Sequence, residues 1–187
     1  MRPRYIILII ILIVGGFLIA RMWVASPEGD ESALKKYENT AYGISFAYPA
    51  TYVVNEMDVM GEGAREHYAI TLTRAEDLPL PINGEGPPMI IIDIYENDTA
   101  EQTAEDWIRN ADESNFDLGG ETIASTQIDG LPASSYRWSG LYEGTTIVLV
   151  EAKWIYNFTV TYLEIGAPIV QDFVPIRDSV RIDPDTN

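Results

Sequence analysis

Residues Tyr5 to Ala20 carry no charge and consist mostly of Ile, Leu and Val, and this run constrains the chain more than any other feature. With Met22 to Ala25 the apolar stretch reaches about 21 residues, interrupted only by Arg21. At ~1.5 Å per residue a helix of that length measures roughly 31 Å, enough to cross a bilayer core. Tyr5 and Trp23 stand where interfacial aromatics belong, and Arg21 lies one turn from the far end, within reach of water. Residues 1–25 are therefore expected to be an uncleaved membrane anchor. Arg2, Arg4 and the terminal amine favour a cytoplasmic N-terminus, with the rest of the chain outside. The competing reading is a cleaved signal peptide with Arg2 and Arg4 as its basic start. Small residues are badly placed for it. Cleavage after Ala20 sets Leu18 at the −3 position, cleavage after Ala25 sets Trp23 there, and cleavage after Ser26 leaves Pro27 just beyond the scissile bond.

Charge narrows the partners of the remainder. Three of the 12 basic residues, Arg2, Arg4 and Arg21, lie in the apolar segment, and none of the 29 acids does. From Glu28 onward 29 acids face 9 bases, a net charge of −20. A nucleic-acid binder working by phosphate neutralisation is excluded, and docking on anionic lipid through a basic patch is disfavoured. The chain has no cysteine, which removes disulfides, thiol catalysis and thiolate metal sites.

Ser26 to Lys36 is polar, holds Pro27 and Gly29, and reads as a tether. One domain is expected over residues 37–183. Tyr37 to Tyr48 predicts two short strands about a turn near Asn39 to Ala41, and Pro49 ends the second. Further strands are expected at Tyr52 to Met57, His67 to Arg74 and Met89 to Tyr95. Leu78 to Pro88, with four prolines and Asn83-Gly84, reads as a loop. One helix follows, with Thr99 as its cap, Gln102 completing a capping box, and Ala104, Trp107, Ile108 and Ala111 on its buried face. Four strands come next: Glu121 to Ile128, Leu131 to Gly140, Thr145 to Ala152 and Trp154 to Leu163. Asp129-Gly130 and Glu143-Gly144 are the expected hairpin turns. In the last strand both faces are partly apolar, which predicts layers on both sides of the sheet. A final helix begins after Pro168, with Pro175 expected to break or kink it and Arg177 to Arg181 continuing it.

This order of elements resembles the PsbP-like family. Tyr42-Gly43-Ile44-Ser45-Phe46-Ala47-Tyr48-Pro49 looks like the opening hairpin of its bacterial members. Ile128-Asp129-Gly130-Leu131-Pro132-Ala133 looks like the hairpin after their central helix, and Phe173 to Val180 looks like their closing helix. The resemblance covers Tyr37 to Ile182. It implies an α+β fold, a three-layer α/β/α arrangement with a meandering antiparallel sheet of about seven strands, here preceded by one transmembrane helix. It also implies a non-enzymatic binding or assembly domain without a cofactor, whose partner would be a membrane or envelope protein. No photosystem function comes with it, because no photosystem-binding residues are matched.

Other chemistry finds little support. A Ser-His-Asp site must use His67, the one histidine, and Ser134 and Ser135 sit in no nucleophile-elbow motif. Two acidic clusters, Asp93, Glu96, Asp98 and Glu101, and Asp112, Glu113, Asp117 and Glu121, lack calcium-loop spacing and read as solvated faces. A small-molecule or cation-binding extracytoplasmic domain is the alternative function. Asn97 and Asn157 begin glycosylation triplets, the second in mid-strand. Trp138 and Tyr142 flank the Ser139-Gly140 turn and are expected at an exposed rim. With Pro81 and Pro87 of the proline-rich loop they form the candidate partner surface.

Overall fold

The computed structural model describes residues 33–59, 65–82, 84–98, 103–119 and 122–183. The expected anchor lies outside the described residues, as do Thr99 and Gln102. Among the described residues no helix is long and apolar enough to cross a membrane.

The first described elements are β1 (Leu34–Asn39) and β2 (Ile44–Pro49), so Leu34 to Lys36 of the expected tether is strand. Next come β3 (Tyr52–Asp58), β4 (His67–Arg74), a 3-10 turn at Ala75–Asp77 and β5 (Ile90–Glu96). Helix α1 spans Ala104–Asn110. The chain continues through β6 (Ala124–Ile128), β7 (Leu131–Ser139), β8 (Glu143–Val150), β9 (Trp154–Tyr162), α2 (Pro168–Asp178) and β10 (Arg181–Ile182).

Seven strands form one antiparallel sheet in the order β3-β4-β5-β9-β8-β7-β6. It is not a simple meander. The segment through α1 carries the chain from β5 to the far edge, and β6 to β9 meander back until β9 pairs with β5, Ile90 opposite Val160. All nine residues of β9 are buried, in keeping with its two apolar faces and the covering layers they predict. On one face Tyr156, Phe158 and Val160 pack with Ile169, Phe173 and Ile176 of α2 and with Ile44 and Phe46 of β2. On the other, Ile155 and Val148 pack with Trp107 and Ile108 of α1. The layers are thus a helix on one side and, on the other, a helix with the small sheet β1-β2-β10.

Local expectations meet specific corrections. Asp129 and Gly130 make a two-residue turn with φ of 51° and 78°, the paired positive φ values of a type I′ hairpin. Glu143-Gly144 is not a turn. Both residues lie in β8, and the reversal falls at residues 140–142, where the Gly140 amide donates to the Tyr142 carbonyl at 2.9 Å. Gly144 is needed in the strand because the Trp138 indole lies across it. The cap of α1 is Thr103. Its hydroxyl accepts from the Asp106 amide at 3.1 Å, and Asp106 accepts from the Thr103 amide at 3.3 Å. That box lowers the pKa of the Asp106 carboxyl, the Thr103 hydroxyl bond being the larger cause.

Helix α2 runs through Pro175, which sits on the exposed side, where the carbonyl left without its usual amide partner can meet water. Arg177 and Asp178 complete the helix, but Ser179 to Arg181 do not continue it. The Ser179 hydroxyl donates to the Ile176 carbonyl at 2.7 Å and accepts from the Ala47 amide at 2.9 Å, turning the chain toward β2. Arg181 and Ile182 then pair with Ser45 and Ile44. The Ile182 amide donates to Asp129 Oδ2 at 3.0 Å, which ties this strand to the β6–β7 turn.

Candidate binding surface

The proline-rich segment crosses one end of the large sheet, and its anchoring is specific. At its start the Leu78 amide donates to the Ala75 carbonyl, and the Leu78–Pro79 peptide is cis. At its end Met89 and Thr161 exchange three bonds. The Met89 amide donates to Thr161 Oγ1 at 2.9 Å, and the Met89 carbonyl accepts from the Thr161 amide at 3.0 Å and hydroxyl at 3.1 Å. In between, the Tyr142 hydroxyl donates to the Gly86 carbonyl. Two members of the expected surface, Tyr142 and the loop, are therefore joined. Pro81 is exposed and Pro87 is half-buried.

Trp138 does not belong to that rim. Only 9% of it is exposed. Alternation along β7 turns its ring inward, over Gly144, and its Nε1 donates to Thr146 Oγ1 at 3.0 Å. Thr146 is in turn 2.9 Å from Thr159 Oγ1. Nearness to a turn in sequence is a poor guide to exposure when the strand's pleat points the side chain into the sheet face.

Beneath the loop lies an open cleft of about 870 Å³. Asn55 and Met57 of β3 and Thr71 and Thr73 of β4 form its floor, and Leu78, Leu80 and Met89 its wall. It lies on the face that α1 covers elsewhere. The cleft combines apolar side chains with a few hydroxyls and an amide, chemistry suited to a peptide segment or a small amphipathic molecule.

The remaining candidates are locked into structure. His67 Nε2 is 2.8 Å from Asp93 Oδ1, and its ring stacks on Tyr95 at 4.2 Å. Tyr95 meets Trp107 at 5.1 Å, and the Arg65 guanidinium lies 4.7 Å over that indole, close to Asp98 and Glu113. Burial first, then Asp93 and Glu113, push the Tyr95 phenol far up. This column joins α1 to β4 and β5. Sequence reasoning missed it, although the positions of His67 and Tyr95 on neighbouring strands were the available signal. Ser134 and Ser135 lie on β7, four strands from His67 in the sheet, roughly 19 Å at the usual strand spacing. They do not converge with it.

Several acids are likewise engaged: Asp172 accepts from Arg74 at 2.7 Å and from the Tyr52 hydroxyl at 2.8 Å. Tyr37 donates to Glu56, and Tyr42 donates to Glu66 at 3.0 Å. Among the described residues no group of three or more His, Cys, Asp or Glu side chains is placed to hold a metal ion. Asn157 is buried in β9, a poor glycan acceptor, and the Asn97 amide donates to the Glu151 carbonyl at 2.8 Å.

Solved structures share this architecture. The solution structure of cyanobacterial PsbP (CyanoP) from Synechocystis matches with a TM-score of 0.55, over 86% of this chain and 99% of that one. The fold is PsbP-like. Sequence identity in that match is 16%, so the likeness is one of fold. A crystal structure from Bacteroides thetaiotaomicron matches with a TM-score of 0.52 at 10% identity, over 82% of this chain and 50% of that one. This chain therefore spans half the length of that protein. No protein-family model and no curated protein matches the sequence.

Proposed function

We propose that the chain is a membrane-anchored, extracytoplasmic, non-enzymatic binding or assembly module. Residues 1–25 hold it at the membrane, and the cleft under the proline-rich loop receives a segment of a membrane or envelope protein. The observation that carries this reading is the fixed loop. Thr161 and Tyr142 hold the loop in place before any partner arrives, so little ordering entropy remains to be lost on binding. A short tether to the membrane raises the effective concentration of the domain near membrane partners, so a modest cleft suffices.

The test is in-cell photocrosslinking from position 57 or 55, on the cleft floor, with the full chain and with a chain lacking residues 1–25. A discrete partner adduct that disappears without the anchor is the expected outcome. Full-chain adducts no different from those of a probe at exposed Lys153 would refute the reading. A second reading, a small-molecule site, draws on the volume of the cleft, which falls in the range of small-ligand pockets. A thermal shift with a small amphipathic ligand, abolished by Thr71→Trp, would favour it.

A further inference from the structure

The exposed apolar side chains are not scattered. Among the described residues the five most exposed large ones are Ile82 at 98%, Ile165 at 78%, Leu163 at 70%, Leu34 at 68% and Leu141 at 64%. Strand register puts all five at one end of the fold. Leu141 is in the β7–β8 turn, and Glu143, just after it, lies opposite Tyr162, the residue before Leu163. Ile165 belongs to the same β9–α2 connection. Tyr142 holds Gly86 and therefore brings the loop bearing Ile82 to this end. Leu34 lies opposite Pro49, beside the turn that starts β3, and the Thr51 carbonyl of that turn accepts from the Ala75 amide just past the end of β4.

Leu34 is also where the chain from the apolar N-terminal segment reaches the domain. Residues 26–33 span at most about 28 Å when fully extended, so a bilayer holding residues 5–25 lies within that reach of this end.

We infer that this end of the sheet docks on the surface of a zwitterionic bilayer, the five side chains entering its interface. The inference rests on the anchor proposed above. It goes beyond that reading by fixing the orientation, with the cleft opening alongside the membrane. Two features favour lipid over a protein partner. The protruding side chains are all aliphatic and are spread over β1, the proline-rich loop, the β7–β8 turn and the β9–α2 connection, whereas protein-binding hot spots favour Trp, Tyr and Arg in one packed patch. At this end exposed Glu76, Glu85 and Glu164 outnumber Lys35 and Arg74, the latter paired with Glu76, so an anionic surface would repel it weakly and a zwitterionic one would not.

The absence of cysteine makes the test direct. Nitroxides are attached through Ile82→Cys, Ile165→Cys, Leu12→Cys or Ala152→Cys in the full chain, reconstituted in phosphatidylcholine vesicles. Ala152 is exposed in the β8–β9 turn, at the opposite end of the sheet. Probes at 82 and 165 are expected to be about tenfold less accessible than the probe at 152 to an aqueous nickel chelate, while remaining open to oxygen. Vesicles rich in phosphatidylglycerol at low salt should weaken that protection. Probes at 82 and 165 that match 152, while 12 reads hydrocarbon, would overturn the docking and leave the anchor standing. Shielding from both reagents would mean a protein cover, a second copy or another chain, and would also overturn it. Nickel access at 12 equal to that at 152 would defeat the anchor reading and the inference with it.

Discussion

Gly144→Ala tests the position of Trp138, because the two readings of that tryptophan give opposite results. If the indole were at an exposed rim, an alanine in β8 would be harmless or slightly stabilising, since glycine inside a strand costs roughly 0.5–1 kcal/mol relative to alanine. With the ring buried over Gly144, a Cβ there would sit 2.1 Å from Trp138 Cε2, 2.3 Å from Cζ2 and 2.6 Å from Cδ2. Carbon atoms rest at about 3.5–4.0 Å, so the ring must retreat by more than ~1 Å. It has little room, being fixed by its bond to Thr146 and buried with Tyr136 and Val148. Overpacking of this kind costs about 1–3 kcal/mol, and losing the indole hydrogen bond about 1 more. After the strand gain of alanine, the net destabilisation is about 1–3.5 kcal/mol, roughly 3–10 °C in Tm for a domain of this size. Urea unfolding followed by circular dichroism measures it, with an unchanged m value as the check on two-state behaviour. Combining Gly144→Ala with Trp138→Leu should cost at least ~1 kcal/mol less than the two single changes together, because the smaller side chain removes the clash. A Gly144→Ala protein within about 0.5 kcal/mol of the parent would refute the packing argument.

Three further outcomes follow from named contacts. Asp172→Asn, which weakens the hold of α2 on Arg74 and Tyr52, should cost about 1–2 kcal/mol, discounted for partial exposure, by urea unfolding. Thr103→Ala removes the cap of α1 and should cost about 1 kcal/mol, with Thr103→Ser restoring most of it. Alkaline unfolding should be steep. Burial above all pushes up the phenols of Tyr37, Tyr42, Tyr52, Tyr95 and Tyr156, to about 12 for Tyr52. Each is harder to ionise folded than unfolded, so the stability it contributes is intact below pH 10 and fades as pH rises through the folded value. Absorbance of tyrosinate should lag in the native protein and appear with unfolding, and native ionisation of all these phenols near pH 10 would contradict the burial.

Where a short-range rule decides the structure, the sequence sufficed. Period-two alternation located His67–Arg74 to the residue, Asp129-Gly130 announced its turn, and the two apolar faces of the Trp154 strand announced covering layers on both sides. The buried face of α1 was legible from the spacing of Trp107 and Ile108. What depends on distant partners was not. Glu143-Gly144 has the composition of a turn, yet Gly144 is strand because an indole six residues earlier needs its space. Trp138 is polar-flanked in sequence and buried in space. Strand order was also hidden, because β9 could as well have ended at an edge as entered between β5 and β8, and only the packing of both its faces favours the centre. The candidate surface divides the same way. Prolines and glycines marked Leu78 to Pro88 as irregular, but the cleft beneath it exists because Thr161 of β9 and Tyr142 of the β7–β8 turn, both far along the chain, hold the loop above β3 and β4. Alternation and turn chemistry act over a few residues and are written in the chain, whereas a cleft is the space between segments that meet only after folding.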